Sequence, residues 1–331
     1  MDIKQGASEC SVSVIIPFKT ATQSLYECLS ALLDQTLQDF EVICIPDSTE
    51  VIELKDERIR TFSKPGTPAE KRNYGVSLSR SKNIAFIDDD ALPAKNWLEV
   101  GVRGLVNEPV VGGPNIAPVG ENIQRLASDL FLTSPFGSFR EVYRYKPVKG
   151  IKYVDNILTV NMFVRRDVFE KVGGFTLRYW PGEDTHFCED LKKAGYRIFY
   201  DPDLMVYHHR RSVFRDHLMQ IWRYAKYRGG AFKMGEVKPF YLAPSFLLIF
   251  LLALLLLSIK FDPLISLSIV ALILSLSVVI FASFYLKSRN MRGSVLGVIT
   301  VWLSHATYGI GVIYGLLFLD LPAQKYKSGS K

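Results

Sequence analysis

The last third of the chain holds three long stretches without a single Asp, Glu, Lys or Arg: Phe240 to Ile259, Pro263 to Leu286 and Gly293 to Leu319. At about 1.5 Å per helical residue, each is long enough to cross a hydrocarbon core about 30 Å thick. Only Lys260 to Asp262 joins the first two, so they form a helical hairpin. Lys287, Arg289 and Arg292 separate the second from the third, and a basic segment precedes the first. Under the positive-inside rule these loops lie in the cytosol. Three crossings would then carry Lys325, Lys327 and Lys331 outside, against the same rule, and the third stretch contains His305, Gly309, Gly311 and Gly315. Three spans over 239–319 are the leading count, a re-entrant third segment is the alternative, and 320–331 reads as a tail.

Ahead of these stretches the chain changes character twice. Residues 1–207 read as a soluble α/β domain, in which VSVIIPF (Val12 to Phe18), FEVICI (Phe40 to Ile45) and NIAFI (Asn83 to Ile87) are short apolar runs of the kind buried in parallel sheets. Helical patterns at Leu25 to Gln35 and Pro68 to Ser79 separate them. This alternation predicts a doubly wound, mostly parallel sheet, with ligands at the carboxyl ends of the strands. Residues 208–238 then carry eight Lys/Arg against Asp216 and Glu236, interleaved with Val213, Phe214, Leu218, Ile221, Trp222 and Tyr224. That pattern fits an amphipathic helix on an anionic membrane surface or, alternatively, a solvated helix packed on the soluble domain.

The formal net charge of +7 favours an anionic partner but does not choose among phospholipid, nucleotide and nucleic acid. Cys10, Cys28, Cys44 and Cys188 are scattered, with no CxxC pair, which argues against a disulfide scaffold or a zinc-thiolate site. The N-terminus, MDIKQGASEC, has no charged stretch followed by an apolar one, so no signal peptide is expected and folding in the cytosol is.

Two acidic constellations carry the chemistry. NIAFI runs directly into Asp88, Asp89 and Asp90, three carboxylates that repel one another unless a cation is present, and oxygen donors suit Mg²⁺ or Mn²⁺ bridging phosphates. A turn with capping aspartates is the bland alternative. Glu183 and Asp184 follow Gly182 at the start of a helical pattern, where a carboxylate beside a cleft accepts a proton from an attacking hydroxyl, or simply caps the helix.

VSVIIPFK, IPDST, AEKRNYGVSLSRSKNIAFIDDDALP and VGGFTLRYWPGEDTHFCEDLKKAGYRIFYDPDLMVYHH, in this order, resemble the family 2 glycosyltransferases of GT-A fold over roughly Val12 to Gly230. The resemblance implies an inverting transferase using a nucleotide-diphospho-sugar and a divalent metal, Mg²⁺ or Mn²⁺. Carried over by position, Pro17 and Lys19 line the nucleotide pocket and Asp47 bonds the base. Pro46 stands where the family more often has a further acidic residue. Lys71, Arg72 and Asn73 match the helix start facing the diphosphate. Asp88 and Asp90 match the DxD motif, with Asp90 on the metal, Asp88 on the metal or ribose, and Asp89 on the donor. Asp184 matches the catalytic base, with Glu183 turned toward the acceptor. His208 completes the metal site, as a histidine does in some relatives. Gln220 to Tyr224 resembles the QxxRW segment of processive members, with Tyr224 for Trp, so Trp222, Arg223 and Tyr224 would meet the acceptor.

The expectation is an integral membrane enzyme with a cytosolic catalytic domain. It would move a sugar from a nucleotide-diphospho-sugar to a membrane-associated acceptor, a polyprenyl-linked lipid or glycan, and nucleic acid is not an expected partner. A processive polysaccharide synthase shares these sites, and a non-catalytic membrane scaffold shares the fold. Sugar, base, linkage and homo-oligomeric state stay open.

Overall fold

The computed structural model describes residues 10–49, 52–176, 181–235, 239–260 and 263–321. It divides into two units, Met1–Val119 with Arg140–His209, and Gly120–Phe139 with Arg210–Lys331.

The first unit runs β1 (Val12–Pro17), α1 (Gln23–Leu33), β2 (Phe40–Ile45), β3 (Ile59–Thr61), α2 (Pro68–Leu78), β4 (Asn83–Phe86), β5 (Ala91–Pro93), α3 (Trp97–Asn107), β6 (Val110–Gly112) and β7 (Asn115–Ile116). The chain leaves it for α4 (Ile123–Leu132). It returns for β8 (Tyr153–Val154), β9 (Met162–Arg165), α5 (Arg166–Lys171), α6 (Glu183–Lys193), β10 (Ile198–Tyr200) and β11 (Val206–His208).

The large sheet has the order β3-β2-β1-β4-β9-β6-β10-β8, and β5-β11-β7 form a smaller one. From β3 to β4 every pairing is parallel, as the apolar runs predict. The sheet becomes mixed where β9 inserts antiparallel to both β4 and β6. Every residue of β1 and β2 is buried, because helices cover both faces. Inside β1, Ser13 satisfies its hydroxyl by donating to Glu41 Oε1 at 2.7 Å.

Helix α2 opens with a capping box, in which Thr67 Oγ1 accepts from the Glu70 amide and Glu70 reaches back to the Thr67 amide, and with Pro68 at its first turn. It lies so close to β1 that a Cβ on Gly75 would stand 2.6 Å from Ile15 Cγ2. That approach buries Lys71 and Arg72, four and three residues earlier on the same side. The small sheet is tied down by Asn161, whose buried amide donates to the carbonyls of Pro114 at 3.0 Å and Leu204 at 2.6 Å.

The second unit comprises α4, α7 (Arg215–Lys233), α8 (Ala243–Lys260), α9 (Pro263–Ser288) and α10 (Met291–Phe318). Small residues let α10 approach its neighbours. A Cβ on Gly315 would lie 2.0 Å from the Lys226 carbonyl oxygen, and one on Gly311 would lie 2.7 Å from the Ala225 Cβ. Among the described residues, two helices are long and apolar enough to cross a membrane, Leu264–Ser288 and Met291–Phe318. The described apolar part of the first sequence stretch, Pro239–Leu254, is shorter than these. Of the tail, 322–331 lies outside the described residues.

Candidate active site

The site grows from the carboxyl end of β4. One residue past that strand the chain turns through Asp88, Asp89 and Asp90 into β5, which pairs antiparallel with β11 so that His208 sits opposite Ala91. This register brings an imidazole from far along the chain to the acidic turn, with His208 Nε2 3.0 Å from Asp90 Oδ1. One ligand atom each from Asp88, Asp90 and His208 falls within 4.8 Å of the others. Two carboxylates and an imidazole suit Mn²⁺, and the carboxylates suit Mg²⁺. Between the two, the Asp89 carboxyl is pushed up to about 6 by burial and by its charged neighbours Asp90 and Asp88. Such crowding of negative charge is what a bound cation relieves.

Arg72 is the hinge of the polar cluster. Its side chain is almost wholly buried, and it donates to Asp88 Oδ1 at 2.7 Å and to Glu183 Oε1 at 3.0 Å. The guanidinium also lies 5.8 Å over the Phe175 ring. One cation from α2 therefore joins the strand-end aspartates to the start of α6. Burial disfavours its charge, yet Asp88 and Glu183 more than offset that and hold Arg72 protonated.

Lys71, beside it, pairs with Asp47 Oδ1 at 2.6 Å and donates to the Phe18 carbonyl. The hydrogen bond from Lys71 holds the Asp47 carboxyl below its usual range, and the Gly66 amide adds a contact at 3.3 Å. Pro17 ends β1 opposite Ile45, and the exposed Lys19 accepts the Asp47 amide at its carbonyl, 3.2 Å away. These residues form one patch after β1 and β2. Asn73 faces elsewhere. Its amide exchanges two hydrogen bonds with the Phe175 backbone, at 2.8 and 2.9 Å, and pins the turn that leads toward α6. Gly174 in that turn has φ of 70°, and a Cβ there would meet Asn73 Oδ1 at 2.8 Å.

At the head of α6, Gly182 adopts φ of 130°, a conformation glycine tolerates, and its amide donates to Glu183 Oε2 at 3.1 Å. Glu183 thus has one carboxylate oxygen on the backbone and the other on Arg72. Asp184 is half-buried, and its Oδ1 accepts the Thr185 amide at 2.7 Å. Burial and the neighbouring Glu183 push the Asp184 carboxyl up to about 6, against the opposing pull of Arg144 and Arg72. At neutral pH it is mostly ionised and basic enough to take a proton.

Sequence reasoning missed Arg144 and Asn156. Arg144 is buried and pairs with Glu141 at 2.9 Å, while Asn156 donates to Thr185 Oγ1 at 3.3 Å. Arg144 lies between α4 and β8 and Asn156 between β8 and β9, in connections that carry no motif and no period. The prospective acceptor residues belong to the second unit. On α7, Trp222 packs against Tyr314 of α10 with ring centroids 5.5 Å apart, Arg223 is exposed and Tyr224 is half-buried.

This mixed sheet, with its acidic turn after β4 and a helical C-terminal region, is of the GT-A glycosyltransferase type. A mannosyltransferase, PcManGT from Pyrobaculum calidifontis, solved in complex with GDP-Man and Mn²⁺, shares the fold with a TM-score of 0.57 at 16% identity, over 94% of this chain and 88% of that one. Residues 13–173 match the profile of glycosyl transferase family 2. Among its relatives, Glycosyltransferase AglE of Haloferax volcanii is 29% identical over 221 residues, 60% of this chain and 67% of that protein. The pre-mycofactocin glycosyltransferase of Mycobacterium tuberculosis is 28% identical over 245 residues, 72% of this chain and half the length of that protein.

Proposed function

We propose that this protein transfers a single glycosyl unit, with inversion, from a nucleoside-diphosphate sugar to an acceptor presented at the cytosolic face of a membrane. The observation that carries the reading is the Asp88–Arg72–Glu183 bridge, which ties the acidic turn to the residue next to Asp184. Donor chemistry and base would then share one polar cluster. Asp47 and Lys71, beside Pro17 and Lys19, would receive the nucleotide.

Asp88, Asp90 and His208 would hold the cation, Mg²⁺ or Mn²⁺, which when bound neutralises the diphosphate leaving group. That a fold neighbour was solved with GDP-Man and Mn²⁺ supports both the donor class and the metal. Asp184 takes the proton of an acceptor hydroxyl as its oxygen attacks the anomeric carbon. The bond from that carbon to the diphosphate oxygen breaks, the nucleoside diphosphate leaves and the configuration inverts. Arg144 and Arg72 keep Asp184 ionised against the burial that would protonate it.

The apolar helices support a lipid-linked acceptor, a polyprenyl-borne phosphate or glycan. Trp222 spends its ring on Tyr314, so it lends no support to the processive reading, in which it would stack on a growing polysaccharide. The test is a panel of nucleotide sugars with Mn²⁺ and a polyprenyl-linked acceptor, the full chain being in detergent, with product length and anomeric configuration read by mass spectrometry and NMR. One added sugar of inverted configuration is expected. A retained configuration, or long polymers, would reject the mechanism or the single-addition reading respectively. No turnover of any donor would favour the scaffold.

A further inference from the structure

Helix α10 is long and apolar enough to cross a membrane, but two of the helices packed against it, α4 and α7, are not. Along its second half it runs beside α7: His217 Nε2 meets Ser304 Oγ at 2.9 Å, Gly311 faces Ala225, Gly315 faces the Lys226 carbonyl, and Lys233 Nζ reaches Asp320 at 3.1 Å. The two helices therefore stay in contact, parallel, over the whole of that half. Alongside Gly311 and Gly315, α7 carries Arg223, Lys226 and Arg228.

The first half of α10 is covered by α4 and by α9. A Cβ on Gly293 would meet Leu126 of α4 at 2.7 Å, one on Gly297 would meet Phe284 of α9 at 2.7 Å, Trp302 Nε1 donates to Ser277 Oγ of α9 at 2.9 Å, and His305 Nε2 bonds the Phe136 carbonyl at 2.7 Å. Near the start of α10, Asp129 of α4 pairs with Arg210 at 3.0 Å and with Lys287 at 3.7 Å. A crossing α10 would carry Arg223, Lys226 and Arg228 of α7 into the far half of the bilayer, where Arg and Lys are costly. Helix α9 differs. Its most apolar stretch is 6% buried against 39% for α10.

Opposite its small-residue face α10 carries a bulky apolar stripe, whose Tyr314 edge meets Trp222 of α7. Val295, Ile299, Leu303, Ile310, Tyr314 and Leu317 are 38–64% exposed and fall within about 100° of one another around the helix axis. Gly293, Gly297, Ser304, Gly311 and Gly315 face the protein. Bulky apolar residues out on one side, with the cationic α7 on the other, describe a helix lying in a membrane surface. Cations over tyrosines mark the same level: Arg228 lies 4.2 Å over Tyr241 and 5.6 Å over Tyr308, and Lys226 lies 5.8 Å over Tyr314.

We infer that α10 does not cross the bilayer: it lies in the plane of the cytosolic leaflet with its Val295-to-Leu317 stripe in the lipid, and the α8–α9 hairpin makes the crossing. Both ends of the hairpin, the Lys287–Arg292 loop and the tail with Lys325, Lys327 and Lys331 then sit on one face. The conflict with the positive-inside rule disappears.

Two measurements on the full chain decide this. Single cysteines replace Ser63, Asp262 and Ser330 in turn, in a chain whose own four cysteines are serine, and sealed vesicles are treated with a membrane-impermeant maleimide. Ser63→Cys and Ser330→Cys should label from the same side and Asp262→Cys from the other; Ser330→Cys labelling with Asp262→Cys would overturn the inference. Spin labels at Val295, Leu303, Ile310 and Leu317 should report nearly equal depths in anionic vesicles. A helix that spans would instead spread them over about 33 Å along its axis, and a graded depth profile would reject the in-plane placement.

Discussion

Replacing Asp184 by Asn separates a catalytic carboxylate from a structural one, because the two roles predict opposite changes in stability. Asp184 rises from 3.8 to about 6 in the folded protein, so the folded state holds the proton more tightly than the unfolded chain does. Between those values the folded state binds more protons, and stability falls as pH rises through about 4 to 6, then levels off. The ionised side chain is thus a liability at neutral pH. A shift of about two units corresponds to about 3 kcal/mol at most. Glu183 shares the repulsion, and Arg144 and Arg72 act on both carboxylates, so on the order of 1–3 kcal/mol is the working figure.

Asn keeps the shape and the oxygen that accepts the Thr185 amide at 2.7 Å, and removes the charge. At pH 8 Asp184→Asn should melt higher than the parent by roughly 2–4 °C per kcal/mol, and near pH 4 the difference should vanish. Turnover should fall about 10²- to 10⁴-fold, with donor affinity unchanged. In the parent, kcat/KM should fall as pH drops through about 6, and that limb should be absent from the residual activity of the variant. Paired thermal melts, donor calorimetry and initial rates on one preparation supply all four readings. A lower melting temperature at pH 8 would make Asp184 a helix cap, and a lost donor affinity would make it a binding residue. Unchanged turnover would mean that the acceptor arrives already ionised, as a lipid phosphate would.

Asp90→Asn and His208→Ala should each weaken Mn²⁺ binding by an order of magnitude or more in titrations followed by electron paramagnetic resonance, and full activity in EDTA would refute the metal assignment altogether. Arg72→Lys keeps the charge but cannot hold Asp88 and Glu183 with two prongs, so kcat/KM should drop at least tenfold while the protein stays folded; Arg72→Ala, which strands two carboxylates, should destabilise the first unit by about 3–5 kcal/mol in chemical unfolding. Gly315→Ala places a methyl on the Lys226 carbonyl and should lower the melting temperature of the protein in detergent, whereas Leu317→Ala on the exposed stripe should leave it nearly unchanged.

The sequence pattern revealed the parts of this protein that rest on local periodicity. Buried strands β1, β2 and β4 are continuous apolar runs, α2 is announced by Thr67, Pro68 and Glu70, and the acidic turn follows its strand directly. His208 was legible only through a resemblance, since nothing local links it to Asp90; the β5–β11 register does that. The resemblance offers Arg72 only as a cation facing the diphosphate, and nothing local announces its bridge from Asp88 to Glu183. Its second partner, Glu183, lies 111 residues away, and a pairing at that distance leaves no period behind.

The second unit was the least legible because apolarity answers two different demands with the same letters. A residue reads as hydrophobic whether lipid or protein covers it, so α9 and α10 look alike in a window of sequence and differ only in what they touch. The distinguishing signs in α10 are its glycines and serine at Gly293, Gly297, Ser304, Gly311 and Gly315, which come every four or seven residues on one face and admit close contact with α4, α9 and α7. Residues 120–139 gave no warning of leaving the first unit, yet α4 there shields the half of α10 that would otherwise read as lipid-exposed. A charge-free stretch establishes only that a segment tolerates lipid; whether it crosses depends on the charges carried by the helices packed against it.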